Sequence, residues 1–282
     1  MRQLEATEVE AQAARALAED WRGSDLTGAA VVDPGQRCLA QMVAREKGVL
    51  CGVALAREVF RQVDRAIAFT QLMEDGDRLA KGSVPIRVEG PAQGILVGER
   101  TALNFLQHLS GIASLTAKFV ALASPYGVEI LDTRKTIPGL RDLEKYATRT
   151  GGARNHRMGL HDAILIKDNH ADLAGGLRVA LDRATARHPA GELEVEVRSQ
   201  DELEEALKFG VGRVLLDNFS PETAAEAVKL VAGRTEIEIS GGVDLQNLGR
   251  YAAARPQYIS VGRLTQSAPA LDLAMKVVLS AD

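Results

Sequence analysis

From residue 128 onward the chain keeps one rhythm: a short apolar run, a turn, an amphipathic stretch, then the next apolar run. The apolar runs fall at about 128–132, 162–166, 193–197, 213–217, 236–240 and 257–261. Helical spacing fills about 141–149, 171–187, 200–209, 221–232 and 244–254. Strands separated by helices need crossover connections, and crossovers make neighbouring strands parallel. Such a parallel sheet is either closed as a barrel or open and doubly wound; the expected fold is α/β with a closed or nearly closed barrel, an incomplete TIM-like domain.

The first third reads differently. Strands at about 37–45, 49–53, 66–73, 84–90 and 93–97 cluster with a helix from Thr7 to Asp20 and another from Leu55 to Val63. Thr7 and Glu10 make a capping-box pattern at the first of these. Strands grouped with a helix or two predict an N-terminal α/β sandwich-like layer domain. Between the halves, Leu103, Leu106, Leu109, Ile112, Leu115 and Phe119 recur at helical spacing over 99–123, with Gly111 as a candidate break. The acidic turn Glu74-Asp75-Gly76-Asp77 lacks the later glutamate of a calcium loop and reads as a hairpin turn.

Charge narrows the function classes. The chain carries 34 Lys and Arg against 38 Asp and Glu, a net charge of −4. That balance speaks against nucleic acid as a partner. Cys38 and Cys51 form no CxxC and sit among apolar neighbours, as buried thiols do. The N-terminus lacks an apolar signal core, and no apolar run reads as a bilayer span, so the expected location is the cytoplasm, without a membrane partner.

One segment reverses the acidic balance. From Asp132 to His170 there are eight basic residues against five acidic ones, and three histidines besides. A random charge cluster is usually a solvated face. Here the charges stand at strand ends, where α/β barrels place their chemistry. The six predicted strands end at or near Asp132-Thr133-Arg134-Lys135, Lys167-Asp168-Asn169-His170, Glu196, Asp217-Asn218, Ser240-Gly241-Gly242 and Gly262-Arg263. One polar strand end means little; six in succession make a site the better reading.

The residue types divide the work. Arg134 and Arg157 suit bidentate carboxylate binding, while Lys135 and Lys167 are compact charges for diphosphate or carboxylate. His156 can donate to a carboxylate or be a core histidine. Ser240-Gly241-Gly242 before a helix, with Gly262 on the next strand, lets a phosphate approach the backbone closely. Glu196 and Asp217, on neighbouring strands, can bind ribose hydroxyls, help hold Mg²⁺ or act as acid and base; each alone could be a structural ion pair. Lys167 at a barrel strand end also allows a Schiff-base reading.

DTRKT-PGLR-LEKYA, GG-RNHRMGL and LIKDNH resemble the motifs of the quinolinate phosphoribosyltransferase family. ERTALNFLQHLSGIAS (99–114), EVEVRS (194–199), LLDNFSP (215–221) and EISGGV (238–243) fit the same family in the same order, over nearly the whole chain. The resemblance implies an N-terminal domain of 1–106, completed by a C-terminal helix at about 268–279 within 268–282, and a catalytic barrel of 107–267. It implies phosphoribosyl transfer from 5-phosphoribosyl-1-diphosphate to quinolinate, with loss of CO₂ and with Mg²⁺. Quinolinate would meet Thr133, Arg134, His156, Arg157 and Lys167, and Arg100 from a second subunit. The implied assembly is thus a homodimer with shared sites, or a higher oligomer. The phosphoribosyl donor would meet Lys135, His170, Glu196, Asp217, the 240–242 loop, Gly262, Arg263 and Gln266. Lys135, Lys167, Glu196 and Asp217 would carry the chemistry, with Glu196 and Asp217 serving the metal directly or through water. At 262–267 the chain departs from the family pattern GALTHS: Arg263 replaces a small residue and Gln266 a histidine. Two other functions fit less of the pattern: a paralogous transferase for another aromatic acid, and an inactive metabolite-binding protein.

Overall fold

The structure is a computed structural model that describes residues 4–278. In chain order its elements are α1 (Ala6–Asp20), α2 (Leu26–Val31), β1 (Arg37–Ala44), β2 (Gly48–Val49), α3 (Val53–Val63), β3 (Ala68–Gln71), β4 (Arg78–Leu79), β5 (Ile86–Pro91) and α4 (Ala92–Ala123). Next come β6 (Glu129–Leu131), α5 (Arg141–Thr150), β7 (Ile164–Ile166), α6 (Asp168–Ala174), α7 (Leu177–Thr185), β8 (Leu193–Val197) and α8 (Gln200–Phe209). The chain continues with β9 (Arg213–Asp217), α9 (Pro221–Val231), β10 (Glu236–Ser240), α10 (Leu248–Ala252), β11 (Tyr258–Ser260), α11 (Arg263–Gln266) and β12 (Leu273–Val278). The chain divides into two compact units. One holds the residues through Ala117, Asp142–Gly152 and those from Ser267 on; the other holds Lys118–Arg141 and Ala153–Gln266.

The first unit is built on an antiparallel sheet in the order β12-β1-β5-β3. Alternation along β1 turns Ala40, Met42 and Ala44 inward, where they join Ile86 and Val88 of β5, Phe60 of α3 and Leu103 of α4. Asp75 of the acidic turn is structural. It accepts the N–H groups of Gly52 and Val53 at 3.1 Å, so it caps α3, and it accepts the Tyr146 hydroxyl at 2.8 Å. Burial pushes the Cys51 thiol well up, as an inert core cysteine requires.

Four local expectations fail here, each for a physical reason. The strand expected at 49–53 stops at Val49, because Gly52 turns left-handed (φ 103°) into α3. The stretch 93–97 is helical rather than a strand, since Ala92, Ile95, Ala102 and Leu106 bury one continuous stripe of α4. The C-terminal stretch is a strand, not a helix: Leu273–Val278 covers the open edge of β1, with Met275 opposite Met42. Residue 279 and the rest of the expected terminal segment lie outside the described residues. α1 starts at Ala6 with Glu5 as its cap and no side-chain capping bond, so Thr7 and Glu10 form no capping box.

α4 also runs unbroken through Gly111. A Cβ at that position would stand 2.1 Å from the Pro269 carbonyl oxygen, so this glycine serves a close approach of backbone, not a kink. The helix with its extension, Ala92–Tyr126, has an 18-residue window of mean hydropathy 1.2 and is long enough to cross a bilayer, contrary to the sequence expectation. Half of that window is buried within the fold, as in a core helix.

The second unit is the parallel sheet, in the order β6-β11-β10-β9-β8-β7. Each predicted strand appears within two residues of its expected bounds. β6 and β7 are the two edges, and Leu131 makes one further parallel bridge to Arg154. This is the order of a barrel opened between its first two strands. The single helix expected at 171–187 is two helices, parted by Gly175 and Gly176 at φ 98° and 125°.

The Gly111 contact gives a direct check. Gly111→Ala should cost about 1–3 kcal/mol through overpacking. Thermal unfolding should show a lowered Tm, and an unchanged Tm would mean that the Pro269 segment moves aside freely.

Candidate active site

All six parallel strands deliver residues to one cavity of about 580 Å³ at their C-terminal ends. β6 is followed by Thr133, Arg134 and Lys135, β7 by Lys167; β8 supplies Glu196, β9 Asp217, β10 Ser240 with Gly241 and Gly242, and β11 Gly262 with Arg263 and Gln266. His156 and Arg157 enter from the loop before β7. Most of the expected site residues are therefore brought together. Two are not: Arg100 is exposed on α4, and His170 accepts the Lys167 N–H at its Nδ1, 3.0 Å away, and does not line the cavity.

The cationic side is held open by buried supports. Asp132, fully buried, accepts the His156 N–H at 2.8 Å and a bond from the Asn155 side-chain amide. Arg141 ties two loops together, donating to the Met158 carbonyl and to the Thr136 hydroxyl at 3.1 Å each. Arg134 Nη1 is buried and has no hydrogen-bond partner among the described residues. Burial, and next the charge of Arg134, makes the Arg157 cation less favourable than a free guanidinium. An unpartnered guanidinium nitrogen beside a second arginine is an arrangement that an anion completes.

The glycine side is shaped for backbone approach. Gly241 sits at φ 98°, and a Cβ there would lie 2.2 Å from Asn218 Oδ1. Asn218, itself left-handed at φ 57°, donates its N–H to the Ser240 carbonyl at 2.9 Å and its amide to Asp217 Oδ2 at 2.7 Å. Asn218 thus fixes the loop and the carboxylate together. Sequence reading noted this asparagine only as part of a strand end; its link to Ser240 depends on strand register. The Gly262 position is filled by the Lys135 stem, since a Cβ would stand 2.9 Å from Lys135 Cδ. Thr265 donates to the Lys135 carbonyl at 2.8 Å, which anchors that loop.

The two carboxylates come from the neighbouring strands β8 and β9. Glu196 Oε2 is 3.7 Å from Lys167 Nζ. Burial pushes the Glu196 carboxyl up; Lys167 opposes this and Asp217 adds to it. A carboxylate whose charge is disfavoured by a neighbouring carboxylate suits a cation placed near both.

Deeper in the sheet lies a cluster absent from the sequence expectations. His156 Nε2 is 3.2 Å from Glu194 Oε1 and 3.4 Å from Glu238 Oε2, and its Nδ1 accepts the Arg157 N–H at 2.7 Å. Both ring nitrogens thus have protein partners. Arg213 Nη1 stands 3.4 Å from Glu238, with its guanidinium 4.1 Å from the centre of the Tyr258 ring. The missed signal was simple: Glu194 and Glu238 lie two residues before Glu196 and Ser240, so they share the same strand face.

Cations, a glycine cradle and paired carboxylates at the strand ends of a parallel α/β sheet define a barrel enzyme for phosphorylated and carboxylated substrates. Comparison with known proteins narrows the class. Residues 25–110 match the quinolinate phosphoribosyl transferase N-terminal domain and residues 112–276 its C-terminal domain. A probable nicotinate-nucleotide pyrophosphorylase [carboxylating] of Bacillus subtilis is 41% identical over 265 residues, covering 93% of this chain and 91% of that protein. A quinolinate phosphoribosyltransferase [decarboxylating] of Nicotiana tabacum is 38% identical over 282 residues, covering 93% and 80%. The crystal structure of NadC from Streptococcus pyogenes superposes with a TM-score of 0.93 at 40% identity, over 99% of each chain. The chain belongs to the quinolinate phosphoribosyltransferase family.

The cradle can be probed separately from turnover. Gly241→Ala forces a Cβ against Asn218 in a left-handed conformation, so ribose 5-phosphate binding by calorimetry should weaken about tenfold or more. Undiminished binding would show that the phosphate groups sit elsewhere.

Proposed function

We propose that this protein transfers the phosphoribosyl group of 5-phosphoribosyl-1-diphosphate to quinolinate, giving nicotinate mononucleotide, CO₂ and diphosphate. The observation that carries this reading is that one cavity joins three kinds of group: arginines after β6 and before β7, carboxylates on β8 and β9, and glycines after β10 and β11. Quinolinate, with two carboxylates, belongs with Arg134 and Arg157, with Thr133 and His156 beside them. The 5-phosphate belongs with Ser240, Gly241, Gly242 and Gly262, and the diphosphate with Lys135 and Lys167.

The residues account for the chemistry as follows. Glu196 and Asp217 hold the ribose, and their charge favours an oxocarbenium-like carbon at C1. The pyridine nitrogen forms a bond to C1 as the C1–O bond to diphosphate breaks, the electron pair leaving with the diphosphate. Lys135 and Lys167 stabilise that leaving charge. Departure of the C2 carboxylate as CO₂ leaves its electron pair on C2, stabilised by the new pyridinium nitrogen beside it, and that pair then takes up a proton from solvent. The protein's share is positioning and electrostatics. Glu196 and Asp217 fit Mg²⁺, which binds through one or two carboxylates plus substrate phosphates and would neutralise the diphosphate.

Arg263 and Gln266 line the phosphate end in place of the family's small residue and histidine. We assign Arg263 the positive charge that Gln266 does not carry. Arg100 is assigned to the site of a second subunit in a homodimer, and the location to the cytoplasm.

The first experiment supplies Mg²⁺, phosphoribosyl diphosphate and quinolinate labelled in its C2 carboxylate, with nicotinate in parallel. Equal yields of CO₂ and mononucleotide from quinolinate alone are expected; product from nicotinate instead would move the paralogous transferase forward. In the same assay, Arg263→Ala should raise the KM for phosphoribosyl diphosphate about tenfold. An unchanged KM would make Arg263 a bystander. Mixing the impaired Arg100→Ala and Arg157→Ala chains should raise activity at subsaturating quinolinate in heterodimers, and no gain after verified exchange would rule out shared sites.

A further inference from the structure

The inner face of a parallel strand is ordinarily apolar. Here β8 and β10 each carry a second glutamate one layer beneath the site. Glu238 is fully buried and Glu194 is 8% exposed. Burying two carboxylates is unfavourable unless each finds partners, because both lose their hydration. Arg213 offers a positive partner to Glu238, with Glu236 on its other side at 3.0 Å. A purely structural cluster would need no more. Both glutamates nevertheless converge on His156, which stands directly before Arg157 and lines the cavity, as Glu238 does.

The hydrogen bonds around the ring point in one direction. Nε2 faces two carboxylates and must hold a proton; Nδ1 accepts the Arg157 N–H and must present a lone pair. Burial alone would lower the basicity of the ring, but the two carboxylates outweigh it and raise His156 to about 9. The Arg157 N–H opposes a second proton, because Nδ1 can accept that bond only while unprotonated. Either way Nε2 keeps its proton. The three side chains bring their ligand atoms within 4.8 Å of one another, as a metal site would. Arg213, at 3.4 Å from Glu238 Oε2, already supplies a positive charge there, while Glu238 Oε1 is buried without a hydrogen-bond partner among the described residues.

We propose that Glu194 and Glu238 are positioning residues for the dicarboxylate end of the cavity: from below, they anchor Nε2–H of His156, and the ring's far nitrogen then fixes Arg157. This rests on the reading that quinolinate binds at Arg134 and Arg157. The carboxylates act through the imidazole. Their loss should therefore appear in quinolinate recognition and leave the phosphate end alone.

The test is steady-state kinetics on Glu194→Gln and Glu238→Gln, isosteric changes that remove charge and keep volume, with Arg157→Ala beside them. The KM for quinolinate should rise about tenfold in each glutamine variant, while the KM for phosphoribosyl diphosphate stays within about twofold. An equal rise for both substrates would mark the cluster as merely structural and overturn the proposal. Arg157→Ala should also raise the quinolinate KM. If it does and neither glutamine variant does, the anchoring role falls alone; if it does not, the assignment of quinolinate to this end falls, and the proposal with it. Should the variants not fold, ¹⁵N NMR of the wild-type imidazoles decides, with His156 assigned by its loss in His156→Gln. A protonated Nε2 that persists on adding quinolinate supports the anchor, and a bare Nε2 overturns it.

Discussion

The structure of the site depends on one geometric constraint. Side chains of a strand alternate between its two faces, so every residue that reaches the inner face is followed two positions later by another. In β8 this pairs Glu194 with Glu196, in β9 Arg213 with Leu215 and Asp217, and in β10 Glu236 with Glu238 and Ser240. Parallel register sets Arg213 opposite both Glu194 and Glu236, and Asp217 opposite Ser240. The cavity is thus the top layer of a stack whose lower layer is also charged. Neutralising the lower layer, through Arg213 and His156, is what allows carboxylates at the upper one.

The parallel half of the fold could be read from sequence because its signal is repeated and local. Six apolar runs with helices between them leave few topologies, and each strand formed within two residues of its expected place. The antiparallel half was harder. Gln93, Ile95 and Val97 alternate like a strand, yet they start a helix of 32 residues because the longer 3.6-residue stripe buries more. Leu273–Val278 reads as helix or strand in isolation; the open edge of β1, more than two hundred residues earlier, makes it a strand. Such long-range pairing leaves no mark in the local sequence.

The site divides the same way. Residues at strand ends were identified by position, and the cavity contains most of them. The supporting residues were missed because their purpose lies across the sheet. Asn218 matters through its bond to the Ser240 carbonyl, one strand away. Asp132 ended a strand like any other acid, but it is buried and holds the loop that carries His156. His156 itself was read as a candidate carboxylate donor, whereas the folded chain occupies both of its ring nitrogens. A side chain's type suggests what it can bind; the number of its valences already used decides what remains for a ligand.

The phosphate end shows how the same accounting applies to a departure from a family pattern. The family places a histidine where this chain has Gln266, and a small residue where it has Arg263; both side chains line the cavity, on the short helix α11. A glutamine keeps a donor and loses the possibility of charge. An arginine three positions earlier on a helix lies on the same face, so the charge can return without moving the backbone. The return is not an exact exchange. A guanidinium stays charged where an imidazole titrates near neutrality, and it offers several donors in a planar fork. In the proposed reading, a phosphate held by Arg263 keeps its hold above the pH at which a histidine would release it, so the exchange would add charge as well as replace it.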